Sequence, residues 1–175
     1  MSIKVYTIGH STRSFDEFLA ILRRFGIEMV VDVRAMPRSR HNPQFGQDVL
    51  RGGLEANGID YVHLAGLGGL RPSAGTLTNA GWRNRSFRGY ADHMQTPEFR
   101  SALQQLMDLA GKRSTAIMCA ETLPWRCHRS LIGDALLVHG FTVEDIFDDK
   151  VSKPHRMTPW AKVVGDTITY PKAML

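Results

Sequence analysis

The sequence predicts an α/β fold built on a mainly parallel central sheet of about five strands. Three observations carry this. Short β-branched apolar runs alternate along the chain with amphipathic runs of helical period. The first strand–helix–strand alternation is complete within about thirty residues, the length of a βαβ unit, which makes its two strands parallel. Helix start and stop signals punctuate the apolar runs.

Taken in order, Ile3–Ile8 alternates and is β-branched, so it reads as the first strand. Ser14-Phe-Asp-Glu17 is a capping box, in which the serine oxygen accepts a free N–H and the glutamate reaches back. Phe15, Phe18, Leu19, Leu22 and Phe25 follow at helical spacing, and Gly26 closes the helix. Met29–Val33 is the second strand and Arg34 to Phe45 a polar loop with two prolines. Gln47–Asn57 reads as a helix weakened by Gly52 and Gly53, and Asp60–Leu64 as a short strand. Ala65 to Ser86, rich in glycine and polar residues, reads as a long loop, a length associated with function or mobility. Thr96-Pro-Glu-Phe99 starts a helix expected to reach about Ala110, with Gly111 beyond. Thr115–Cys119 is a strand, Cys127–His139 a helix and Thr142–Phe147 the last strand. A tail from Asp148 to Leu175 holds a β-like Thr167–Tyr170. With no repeat, low-complexity tract or linker, the expectation is one domain over residues 1–175.

At 175 residues the chain can bury a proper core. No apolar run is long enough for a membrane span. The N-terminal residues alternate and end in Gly9-His10, unlike a signal peptide, so a cytoplasmic location is expected. Two cysteines do not make a disulfide scaffold. In a reducing compartment they are thiols, metal ligands or a transient redox pair. The net charge is +5 and arginine dominates the basic set. Guanidinium groups suit phosphate and carboxylate, but this modest excess fits an ordinary basic surface better than a nucleic-acid binder.

In an open parallel sheet, ligands bind beyond the carboxyl ends of the strands. Four segments meet that description. Gly9-His10-Ser11 follows the first strand; the glycine allows a sharp turn and His10 offers an acid, a base or an anion contact. Asp32-Val-Arg34 ends the second, and its two charged side chains share a face, as an ion pair or as a carboxylate that orients its neighbours. Leu67-Gly-Gly-Leu-Arg71 follows the third. Cys119-Ala-Glu-Thr-Leu-Pro-Trp-Arg-Cys-His-Arg129 follows the fourth and opens the next helix.

This last stretch is the most informative. Cys119 is either an inert core thiol or a nucleophile with a lowered pKa. Cys127, placed at a helix start, is expected to be the more reactive of the two. Arg34, Arg129, Ser11 and His128 are the candidate anion contacts, and Glu121 and His10 the candidate proton carriers. The loop does not match the phosphatase or sulfurtransferase type, whose arginine lies six residues after the cysteine. Here Arg126 lies seven on, Pro124 has no N–H, and Glu121 would repel phosphate. The cysteine and histidine spacing matches no usual zinc pattern, so no metal is assigned. The sequence leaves any cofactor open. Arg83, Arg85 and Arg88, interleaved with Trp82 and Phe87, suit a lid, a solvated loop or contact with nucleic acid.

Ile8-Gly-His-Ser11, Asp32-Val-Arg34 with Pro37 and Ser39, Gly58-Ile59 with Tyr61, Leu67-Gly-Gly69, Tyr90-Ala91 with Met94 and Thr96, and above all Cys119-x-Glu-x-x-Pro-x-x-Cys-His-Arg129 resemble the bacterial domain of unknown function four-eight-eight family. The resemblance extends to the tail through His155 and Tyr170-Pro171. It implies a small three-layer α/β sandwich. It brings no activity with it, so no catalytic residue is carried over as established. The motif set on His10, Ser11, Asp32, Arg34, Cys119, Glu121, Cys127, His128 and Arg129 is present without departure.

The leading expectation is therefore an enzyme with an arginine-lined pocket for a small anion and thiol-dependent or hydrolytic chemistry. The alternatives are a non-catalytic module for nucleotide or nucleic acid, and a partner-binding domain whose cysteines are core residues. The sequence leaves the oligomeric state open.

Overall fold

A computed structural model describes residues 2–75 and 77–172. Along the chain run β1 (Lys4–Gly9), α1 (Phe15–Arg24), β2 (Met29–Asp32), α2 (Gln47–Ala56), β3 (Asp60–His63), α3 (Arg85–His93), α4 (Pro97–Lys112), β4 (Thr115–Cys119), α5 (Arg129–Val138), β5 (Thr142–Ile146), β6 (Ser152–Pro154), β7 (Lys162–Val164) and β8 (Thr167–Thr169). The central sheet has the order β3-β2-β4-β1-β5-β6. Its first five strands in that order are parallel, and β6 closes one edge antiparallel. β7 and β8 form a separate antiparallel ribbon.

Local signals place the helices. Ser14 accepts from the Glu17 N–H while the Glu17 carboxylate accepts from the Ser14 N–H, both at 3.1 Å. Thr96 caps α4 with Pro97 in its first turn. α4 continues through Gly111 to Lys112, further than its sequence suggests.

The sheet is covered on both sides, giving a three-layer α/β sandwich. Phe18 and Leu22 of α1 and Leu50 and Leu54 of α2 pack with Ile8, Val30, Ala116 and Met118 on one face. Tyr90 of α3, Phe99 and Leu106 of α4, and Leu131 and Ile132 of α5 pack with Val31, Ile117 and Cys119 on the other. Strand alternation therefore sends Met118 to one layer and Cys119 to the opposite one.

Several features differ from the sequence reading. Thr142–Ile146 is not the last strand: the chain turns back so that Ser152–Pro154 pairs with it as a sixth strand of the sheet, and Lys162–Val164 pairs with Thr167–Thr169. α3 occupies Arg85–His93, where no helix was expected, because its start is set by Asn84, whose side chain accepts from the Ser86 and Phe87 N–H groups. α5 begins at Arg129 rather than Cys127, and Cys127 is extended, with φ −132° and ψ 144°. β1 and β2 are parallel as a βαβ unit requires, but β4 lies between them.

Candidate functional site

The chain leaving β2 runs to β3 on one side, and the chain leaving β4 runs towards β5 on the other. Where neighbouring connections part in this way, a crevice opens at the carboxyl edge of the sheet. A cavity of about 360 Å³ lies there, lined by Arg34, Met36, Arg38, Phe87, Tyr90, Cys119, Glu121, Arg126, Cys127 and His128, among others. The β4–α5 loop is held against β1. The N–H groups of His10 and Ser11 donate to the carbonyls of Cys119 and Ala120 at 2.9 and 3.0 Å. Gly9 makes this approach possible, since a Cβ there would lie 1.8 Å from the Glu121 carbonyl oxygen.

At the floor of the cavity the two cysteine sulfurs are 2.7 Å apart, both reduced and buried. Arg129, with no exposed surface, brings its Nη1 to 2.7 Å from the Cys119 sulfur. Its other donors are satisfied internally by Thr7 Oγ1 at 3.2 Å, the Thr122 carbonyl at 2.8 Å and the Glu121 carbonyl. Burial raises the Cys119 pKa, but the Cys127 hydrogen bond and the Arg129 charge outweigh it and bring it down to about 7. The hydrogen bond to Cys119, together with burial, pushes the Cys127 thiol well up. These contacts favour a different order from the one the sequence suggests, with Arg129 lowering Cys119 and Cys127 placed to keep its proton. Cys127 precedes the helix and faces another sulfur, while, among the described residues, the guanidinium within bonding reach lies against Cys119. The Arg129 guanidinium is taken up by the Cys119 sulfur and the Glu121 and Thr122 carbonyls, and it does not line the cavity.

A second cluster lies towards the α1–α2 layer. Arg34 grips Asp32 with two parallel hydrogen bonds, Nε–Oδ1 at 2.9 Å and Nη2–Oδ2 at 2.7 Å. The Tyr61 hydroxyl also donates to Asp32 Oδ2. Arg34 Nη1 is 3.4 Å from His10 Nε2, and the His10 ring stacks on Phe45 at 4.3 Å. His10 Nδ1 lies 2.8 Å from the Ser11 carbonyl, so that nitrogen carries the proton and Nε2 accepts. Burial lowers the His10 pKa to about 4, against the contrary pull of the Ser11 carbonyl. It is therefore a neutral imidazole at pH 7 rather than a group titrating there.

The predicted residues are thus divided. Cys119, Glu121, Cys127, His128 and Arg34 line the cavity. His10, Ser11, Asp32 and Arg129 do not. Arg38 and Arg126, exposed at the cavity and without a side-chain partner among the described residues, are the cations available to a ligand. His128 sits with Nε2 2.8 Å from the Val33 carbonyl and Nδ1 3.6 Å from the Cys127 sulfur. Burial lowers its pKa to about 4 as well.

Behind Arg129 runs a polar network that crosses to the tail. Thr7 Oγ1 donates to Asp145 at 2.5 Å. His155 bridges Asp145 and Asp134 at 3.2 and 3.0 Å, and the Tyr170 hydroxyl donates to Asp134 at 2.8 Å. Burial lowers the His155 pKa, but the hydrogen bonds to Asp134 and Asp145 outweigh it and lift it to about 9. Sequence reasoning assigned this network no role. Its one local signal is Asp134, a carboxylate inside the apolar run Leu131–Val138, which calls for a buried partner.

These shifts give signed pH dependences. His10 and His128 have folded pKa values below their ordinary 6.5, so the unfolded chain takes up protons first. Stability is expected to fall as pH drops from 6.5 towards 4. Cys119, depressed from 9.0 to about 7, adds stability as pH rises through that interval. His155, raised from 6.5 to about 9, loses its contribution over nearly the same interval. The two slopes oppose, so wild-type stability is expected to be nearly flat from pH 7 to 9. Denaturant unfolding of Cys119→Ser should instead show a decline there. A flat profile in that variant would contradict the assignment of a raised His155.

Among the described residues no group of three or more His, Cys, Asp or Glu side chains is placed to hold a metal ion, and no helix is long and apolar enough to cross a membrane.

Fold and site together define a small α/β protein with a buried thiol pair at the carboxyl edge of a mainly parallel sheet. A family model described as domain of unknown function DUF488 matches residues 14–136, well over half of the chain, and the protein belongs to that family. The match contains both cysteines, Asp32, Arg34, Glu121, His128 and Arg129; His10, Ser11, His155 and Tyr170 fall outside it. No curated protein and no solved structure matches the chain.

Proposed function

We propose that the protein is a thiol-dependent enzyme that reduces a small anionic disulfide, with Cys119 as nucleophile and Cys127 as its partner. The observation that carries this is the sulfur pair itself, 2.7 Å apart with Arg129 against Cys119 at the floor of a cavity. A disulfide bond is about 2.05 Å long, so bond formation needs the sulfurs to close by less than an ångström. Arg38 and Arg126 at the cavity suit an anionic substrate.

The chemistry balances as a dithiol exchange. The Cys119 thiolate attacks one sulfur of the substrate disulfide and forms a mixed disulfide. The departing thiolate takes the Cys127 proton, for which Cys127 is the nearest thiol donor. The Cys127 thiolate then attacks the Cys119 sulfur, closes the intramolecular disulfide and expels the second substrate thiolate, which is protonated from water. Two protein thiols are oxidised and one substrate disulfide is reduced. An external thiol reductant restores the dithiol. A reducing compartment such as the cytoplasm would keep the resting pair reduced.

Oxidised glutathione, a small anionic disulfide, is a suitable probe. Wild-type protein should form one Cys119–Cys127 disulfide, recovered as a linked peptide. Cys127→Ser should trap glutathione on Cys119, and Cys119→Ser should not react. Iodoacetamide should label Cys119 with an apparent pKa of about 7. Labelling no faster than that of a free cysteine, or full reactivity in Cys119→Ser, would rule the reading out.

A further inference from the structure

A second cavity, of about 720 Å³, opens on a different part of the molecule. One wall is the loop before α3 with Phe87 of its first turn, and the other is the tail, with Trp160, Pro171 and Lys172. Its size falls in the range of small-molecule sites. From the geometry we infer that this cleft binds a nucleobase stacked on its aromatic walls, with the attached phosphate on Arg83 and Lys172.

The aromatic side chains form a connected set. Trp82 meets Phe87 at 5.1 Å and Trp160 at 4.9 Å, both edge-on, and Tyr170 at 5.4 Å. Such edge-on pairs hold one ring fixed while its neighbour keeps a free face. Trp160 remains 41% exposed and so presents a ring surface to the cleft. The Trp82 indole N–H is buried and has no hydrogen-bond partner among the described residues. A donor left in this state is costly, and because it has no exposed surface a ligand acceptor could reach it only if the Trp82 ring shifts.

Charge narrows the ligand further. Arg83 and Lys172 are exposed, and neither has a side-chain partner among the described residues. No acidic residue lines the cleft. Asn84 is committed to capping α3, and Arg88 is tied to the carbonyls of Ala80 and Trp82, so both hold the wall in place. A flat aromatic body carrying an anion suits the exposed Trp160 ring and the Arg83 and Lys172 cations together. Stacking on exposed indoles is tolerant of base identity, since every base has a π-face.

The cleft meets the thiol cavity only at Phe87, which lines both. The inference therefore stands apart from the thiol chemistry, and Cys119→Ser should bind as the parent does. The same ligand chemistry exists in a free nucleotide and in single-stranded nucleic acid, and the probes separate these sources.

Calorimetric titration of the full chain with adenosine monophosphate, a short thymidine oligonucleotide and ribose 5-phosphate tests the proposal. Saturable binding of the mononucleotide identifies a free nucleotide as the source. Binding of the oligonucleotide alone, falling steeply with salt, identifies a single strand. Trp160→Leu should weaken binding by about tenfold or more. The exposed charge reversal Arg83→Glu, which does not threaten folding, should weaken it comparably. Val49→Ser, at an exposed side chain of α2 away from the cleft, should leave it unchanged. Ribose 5-phosphate binding as well as the nucleotide, wild-type affinity in both Trp160→Leu and Arg83→Glu, or no binding of either base-bearing probe would overturn the proposal.

Discussion

Replacing Arg129 with methionine is expected to unfold the site and to raise the Cys119 pKa at the same time. The side chain is fully buried and reaches a sulfur, two carbonyls and a hydroxyl through its guanidinium. Removing one partner of a buried charged contact costs about 3–5 kcal/mol, because the groups left behind cannot reach water. The carbonyls of Glu121 and Thr122 would lose these donors, and the loop over Gly9 would lose its main tie to α5. Thiolate absorbance should report the second effect as an upward shift of the titration from about 7. Arg129→Lys keeps the charge without the planar fork, so its titration should shift less than that of the methionine variant. Wild-type stability and an unmoved titration in Arg129→Met would show the contact with Cys119 to be incidental.

Asp32→Ala is expected to be comparably damaging for the opposite reason, since it strands a cation. Arg34 is nearly buried and its bidentate partner is fully buried. The Tyr61 hydroxyl would lose its acceptor as well. A loss of about 3–5 kcal/mol in unfolding free energy is expected. The double variant Asp32→Ala with Arg34→Met should recover most of it, since an apolar replacement of the whole pair leaves no charge uncompensated. Additive losses in the double variant would mean that the two residues act independently. The position of this pair also bears on function. It fixes Arg34 at the cavity wall with most of its charge already answered, which leaves Arg38 and Arg126 as the freer cations.

Much of the architecture is legible in the sequence because its signals are local. The alternation of Ile3–Ile8, the Ser14–Glu17 box and the Thr96-Pro97 start each depend on residues within one turn or one strand, and each element forms there. The Arg85–His93 helix carries an apolar stripe, Phe87, Tyr90 and Ala91 continued by Met94, but it opens directly out of the polar, glycine-rich stretch before it, and its start rests on the Asn84 cap. The candidate residues were legible as a set, since each follows a strand of a parallel sheet. Their division was not. His10 and Asp32 reach the α1–α2 layer, while Thr7 and Cys119 reach α5.

The sequence by itself determined that this chain is an α/β protein of its family, with cysteines, arginines and histidines gathered at one edge of a sheet. Strand period and helix caps are short-range properties, and they suffice for that. Only the tertiary structure decided which candidates share a cavity and which thiol is acidic. Face assignment depends on the side of each crossover and the register between strands, and the thiol pKa depends on burial beside Arg129 and a second sulfur. Those are relations between segments far apart along the chain, and no local pattern encodes them.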